Sequence, residues 1–115
     1  MHTETLTWSE DVRHPLTQHL CFVDPAATTV VVGTGTFKAG QDMPSEGFSQ
    51  YPMREISIVL EGEIETESAG KKVRLNAGDL VTIPPNQKQR SRFLKDTKLI
   101  YIFFGHRSKE CEADA

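Results

Sequence analysis

Glu55-Ile-Ser-Ile-Val-Leu-Glu-Gly62 and, after a gap of 15 residues, Gly78-Asp-Leu-Val-Thr-Ile-Pro-Pro-Asn-Gln-Lys-Gln89 decide how this chain reads. Each is a short apolar strand bounded by turn residues, and each delivers one polar side chain, Glu55 or Gln89, to a defined strand position. Side chains alternate along a strand, so Ser57 and Val59 share the face of Glu55, while Ser91 and Phe93 share the face of Gln89. If those faces turn inward, the two segments enclose a polar pocket in an otherwise apolar core.

Working outward, the remaining chain is rich in strand signals. Thr28 to Phe37 is dense in β-branched residues, the composition of a strand buried on at least one face. Gly33 and Gly35 fall on one side of it and permit the close approach of another backbone or a sharp bend. A phosphate-binding reading of Gly33-Thr-Gly35 fails because no helix follows. Glu63, Glu65 and Glu67 alternate with Ile64 and Thr66, Ser68-Ala-Gly-Lys71 supplies a hairpin turn, and Lys72 to Leu75 alternates again. That register brings Lys72 and Arg74 near Glu65 and Glu63, a solvated charged face to which no function is assigned. Asn86 is a candidate for positive φ in the Pro84-Pro-Asn-Gln87 turn. Arg90 to Leu94 and the apolar Thr97 to Phe104 complete the strands, with Leu20 to Val23 ahead of them. Thr5 to Trp8 reads as a weak edge strand, with Trp8 over one end of the core, and Gly40 to Pro52 as a loop or broken strand. No segment has a convincing helical period. Short strands with frequent turns define an all-β sandwich or barrel.

The chain has 115 residues and a formal net charge of −3, which fits one domain and argues against a nucleic-acid partner. No apolar run is long enough to span a bilayer, and the N-terminus has no signal pattern, so a cytoplasmic location without a membrane partner is expected. Cys21 and Cys111 are read as reduced thiols, Cys21 as a small core residue; His19 nearby keeps a nucleophilic reading of Cys21 open.

With both segments in register, the chain resembles the paired motifs of the cupin superfamily. Glu55 and Gly62 match the end of the first motif, Gly78 and Pro84 match the second, and the stretch between has the short length of compact single-domain members. A weaker likeness, through Phe48, Tyr51 and Glu55, is to cupins related to ethanolamine-utilisation proteins and ureidoglycine-type enzymes. The resemblance implies a double-stranded β-helix, or jelly-roll barrel, and commonly a homodimer. On it, residues 1–115 form one cupin domain with a barrel core at about 28–104, an N-terminal segment 1–27 and a polar tail 105–115 that frays.

The same alignment shows where the chain departs from the family. The motif positions that usually carry three histidines hold Ser49, Tyr51 and Gln89, and only Glu55 survives from the usual ligand set. The interval from Gly40 to Ser49 is also longer than the family's usual spacing. Neutral hydroxyl, phenol and amide oxygens are poor ligands for first-row divalent metals, so no tight metal site and no cofactor is expected. His2 and His106 lie near the ends, and His14 and His19 belong to a segment that could fold over the barrel mouth.

Three readings stay open for the pocket. The one adopted is a binding site for a small polar metabolite, lined by Glu55, Tyr51, Gln89, Ser49, Ser57, Ser91 and Phe93. The second is metal-independent acid–base chemistry by Glu55 and Tyr51 in an isomerase, lyase or hydrolase. The third is a weak, atypical divalent metal held by Glu55 with Gln89, Tyr51 or an N-terminal histidine. Each residue also has a plainer role: Glu55 exposed and paired with Arg54, Tyr51 a core ring, Gln89 a partner for backbone groups, Ser57 and Ser91 filler.

Overall fold

The computed structural model describes residues 1–25 and 28–106. Among these residues nine strands follow in chain order: β1 Leu16–Val23, β2 Thr29–Phe37, β3 Asp42–Met43, β4 Arg54–Glu61, β5 Glu63–Ser68, β6 Lys71–Asn76, β7 Leu80–Ile83, β8 Gln89–Phe93 and β9 Thr97–Gly105. They form two antiparallel sheets, one ordered β1-β2-β9-β4-β7 and the other β3-β8-β5-β6. The all-β jelly-roll expectation is met. No helix among the described residues is long and apolar enough to cross a membrane.

The core lies between the sheets. Val31, Phe37, Val59, Leu99 and Tyr101 enter it from the five-stranded sheet, and Ile64, Leu75 and Phe93 from the four-stranded one. Phe37 and Phe93 stack across the gap with centroids 3.9 Å apart and planes 5° from parallel, closing the sandwich with a pair of flat faces. Burying side chains of this size supplies about 1.5–3 kcal/mol each, enough to make the inward faces of β2, β4, β8 and β9 the main adhesive of the fold.

Two glycine positions are demanded by geometry. Gly33 sits directly opposite Tyr101 in the β2–β9 pairing, and a Cβ there would collide with the phenol ring and with the Thr17 carbonyl. The expected close approach of another backbone is met by the Thr17 carbonyl, and the Tyr101 side chain crowds the same position. Gly62 adopts φ of +102° in the β4–β5 turn, against Thr97, which explains the glycine that ends the first motif. Asn86 takes φ of +64°, as its turn chemistry predicts. Ala69 is the unexpected case, with φ of +51° ahead of Gly70 in the β5–β6 hairpin.

The outer face of that hairpin behaves as read. Lys72 reaches Glu65 at 4.0 Å and Arg74 reaches Glu63 at 3.9 Å, while Glu67 pairs instead with Arg90 at 2.7 Å. Arg92 is likewise paired, to Asp42 at 2.8 Å, and this contact holds the Asp42 carboxyl below its ordinary value.

The N-terminal region differs from expectation. β1 starts at Leu16 rather than Leu20 and pairs with β2 along its length, interrupted by a bulge between Gln18 and Leu20. Residues 1–9 form no strand. This arm is held by side chains: Thr34 Oγ1 donates to the Thr7 carbonyl at 2.6 Å, and Trp8 Nε1 donates to the Leu99 carbonyl at 3.1 Å. Trp8 thus caps a backbone acceptor and is not a lid of apolar core. Cys21 is partly buried against the core and has no free thiol, which corrects its reading as a reduced cysteine; Cys111 and the expected frayed tail beyond His106 lie outside the described residues.

Gly33→Ala should overpack the Tyr101 contact and cost about 1–3 kcal/mol, seen as a lower denaturation midpoint. A wild-type midpoint would mean that Tyr101 moves aside freely.

Candidate functional site

β4 carries the central residue. Its inward positions are Glu55, Ser57 and Val59, and its neighbours in the sheet place Phe103 opposite Glu55 and Tyr101 opposite Ser57 on β9, with Ile83 opposite Glu55 on β7. Gln89, the first residue of β8, faces them from the other sheet. Gln89 Nε2 donates to Glu55 Oε1 at 2.8 Å, and Ser57 Oγ donates to Glu55 Oε2 at 3.0 Å. Both carboxylate oxygens therefore accept from neutral donors, one within the strand and one across the barrel. Arg54 does not pair with Glu55; its Nη1 donates to Thr82 Oγ1 at 3.1 Å on the opposite face.

Ser49 and Tyr51 reach the pocket from the segment ahead of β4. β4 begins at Arg54 and does not extend upstream through Pro52. Instead Ser49 forms an isolated bridge with Gln89, each backbone N–H donating to the other's carbonyl at 2.7 and 2.9 Å. Tyr51 is fixed by its carbonyl, which accepts from Asn86 N at 2.7 Å, and its ring packs on Phe103 with centroids 5.1 Å apart. A second strand partner thus does for these two residues what continuity of β4 would have done.

All seven residues singled out from sequence, Ser49, Tyr51, Glu55, Ser57, Gln89, Ser91 and Phe93, line one cavity of about 80 Å³ open to the centres of water molecules. By that measure it has room for roughly half a dozen waters. Ser91 is tied to Thr66 Oγ1 at 2.9 Å and so spends its hydroxyl on the wall. The sequence reading missed Thr66, Met43 and Phe37 among the lining residues. Thr66 was detectable, because alternation puts it on the same face as Ile64; Met43, from the short β3, carried no such signal.

The histidines go elsewhere. His19 does not fold over the pocket: it sits at the β1 bulge, Nδ1 2.6 Å from Glu4 Oε2 and Nε2 3.0 Å from the Thr7 carbonyl. The hydrogen bond from His19, followed by that from His2, holds the Glu4 carboxyl below its ordinary value. His14 lies exposed beside Asp11 at 3.2 Å. Neither lines the cavity.

A metal is the group that the motif resemblance brings to mind at this position, and the donors here do not fit it. Gln89 turns its N–H group to the carboxylate, so it stands there as a hydrogen-bond donor and not as a metal ligand. No group of three or more His, Cys, Asp or Glu able to hold a metal ion occurs among the described residues.

The fold and site define a small β-barrel with an acidic, aromatic-walled pocket. Residues 33–105 match the family model of the cupin domain, and the chain belongs to the cupin family. A comparison with curated proteins finds no match. Among solved structures, the chain is similar to KdgF from Halomonas sp., with 23% identity, coverage of 90% of this chain and 92% of that one, and a TM-score of 0.67. It is also similar to an RmlC-like cupin from Shewanella frigidimarina NCIMB 400, with 17% identity, coverage of 94% and 96%, and a TM-score of 0.62. The EutQ protein of Clostridium difficile has 17% identity, coverage of 81% and 64%, and a TM-score of 0.59. At these identities the likeness is one of fold.

Gln89→Leu should leave Glu55 Oε1 without its donor and lower stability by about 1–3 kcal/mol in chemical denaturation. A neutral outcome would show that water replaces the amide at no cost.

Proposed function

We propose that this cupin binds a small polar metabolite in the pocket around Glu55, without a tightly held metal. The observation that carries the reading is the Glu55 carboxylate, gripped by Gln89 and Ser57 inside a cavity whose walls are mostly apolar or aromatic. A few convergent polar groups on an apolar wall are the usual make-up of a small-molecule site. The hydrogen bonds from Gln89 and Ser57 hold the acid in one orientation, so that recognition needs no rearrangement of the protein. Acid–base turnover by Glu55 and Tyr51 is less favoured, because both carboxylate oxygens are already engaged. An atypical metal held by Glu55 with Gln89 is less favoured for the donor mismatch given above.

The test is a thermal-shift and NMR screen of small polar metabolites. Any ligand that moves the Ser57, Gln89 and Tyr51 resonances should bind Glu55→Gln at least tenfold more weakly, with the fold unchanged. Equal affinity in the variant would remove Glu55 from the site.

The same reading keeps the protein in the cytoplasm as a pair of identical subunits. The support for pairing is the outward face of the five-stranded sheet. Alternation turns Ile56, Ile58, Ile100, Ile102 and Phe104 away from the pocket, and all five are only half-buried. Leu80 and Phe22 on the flanking strands are exposed. A continuous apolar sheet face of this kind marks an interface. Light scattering should give twice the chain mass, and Ile102→Lys should halve it; a monomeric wild type would refute the pairing.

A further inference from the structure

Among the described residues, the pocket has one formally charged side chain and none of opposite sign. Glu55 is the sole carboxylate among its lining residues, and none of them is Lys, Arg or His. The nearest arginine in sequence, Arg54, is turned to Thr82 on the far face. Gln89 and Ser57 stabilise the acid with dipoles, which orient and partly solvate it but leave its charge in place.

The wall beside the acid is aromatic. Phe103 is the direct cross-strand neighbour of Glu55, and Tyr101 is that of Ser57. The rings of Tyr51, Phe103 and Tyr101 form a continuous run, with centroid separations of 5.1 and 5.3 Å and tilts of 54° and 53°. Successive tilts turn ring faces toward different directions around one corner of the cavity. Aromatic faces carry negative potential and attract cations, more strongly where water is excluded.

The two features act with the same sign. Glu55 is half-buried, so a cation beside it is drawn by the carboxylate through less water than at an open surface, and the adjacent rings add to the field that such a charge would feel. An anion entering the same corner meets repulsion from both. The limited volume of the cavity restricts the guest to a compact head group.

We infer that the pocket takes a small organic monocation, an ammonium or other onium head, seated between the Glu55 carboxylate and the Tyr51–Phe103–Tyr101 wall. This rests on the metabolite-binding reading above and names its ligand class.

Three probes of similar shape and different charge test it: tetramethylammonium chloride, tert-butanol and sodium pivalate. Each is titrated into the full chain at constant ionic strength and followed by amide NMR. Tetramethylammonium should shift the Ser57, Gln89 and Phe103 resonances and bind at least tenfold more tightly than tert-butanol, and pivalate should leave them unmoved. Glu55→Gln should cost the cation at least tenfold while sparing tert-butanol. Phe103→Leu, which keeps an apolar wall, should weaken the cation several-fold more than the alcohol.

If tert-butanol or pivalate occupies the pocket as tightly as the cation, or if Glu55→Gln leaves cation binding unchanged, the charge selection is overturned while a binding pocket still stands. If none of the three moves any pocket resonance, both the inference and the metabolite-binding reading fall.

Discussion

The hydrogen bond from Gln89 to Glu55 is the contact on which the site depends. It crosses from the four-stranded sheet to the five-stranded one and holds a half-buried carboxylate in the pocket between them. Gln89 and Ser57 supply the donors that satisfy both oxygens of this carboxylate. The bridge between Ser49 and Gln89 follows from the same geometry. It pins the loop ahead of β4 to the strand that carries the donor, and brings Tyr51 over Phe103.

The surroundings of that contact are set by space. Gly33 gives Tyr101 room to lie flat against β2, and Phe37 stacked on Phe93 joins the sheets. Together they determine which side chains can stand beside Glu55 and how much volume is left over. Charge and shape therefore come from different parts of the chain: the acid from β4, its donor from β8, and the aromatic wall from β9 and the loop before β4. In the family pattern the corresponding positions are dominated by imidazoles, which suit a metal. Here they hold an amide, a hydroxyl and a phenol, which suit a guest bound by hydrogen bonds and electrostatic attraction.

Much of this could be read from sequence, for identifiable reasons. Strand alternation is a local rule, so Glu55 with Ser57 and Val59, and Gln89 with Ser91 and Phe93, were assigned to inward faces that the structure bears out. Positive φ at Asn86 follows from its own side chain and its turn. The Lys72–Glu65 and Arg74–Glu63 pairs follow from a hairpin whose turn sits between its strands. What failed depended on partners remote in sequence. The arm at residues 1–9 is held by Thr34, His19 and Leu99, so its weak alternation said nothing about its final form. His19 was free to be imagined at the pocket mouth until the bulge in β1 fixed it against Glu4.

Local patterning thus determined the strands, the turn positions and the identity of the acid, because these rest on periodicity and on the conformational preferences of single residues. Only the tertiary structure decided that an amide from one sheet would meet the acid from the other, that Phe103 and Tyr101 would flank it, and that no cationic side chain among the described residues would line the cavity. Those outcomes depend on register between strands far apart in the chain, and register is a property of the packed sheets and not of any one segment.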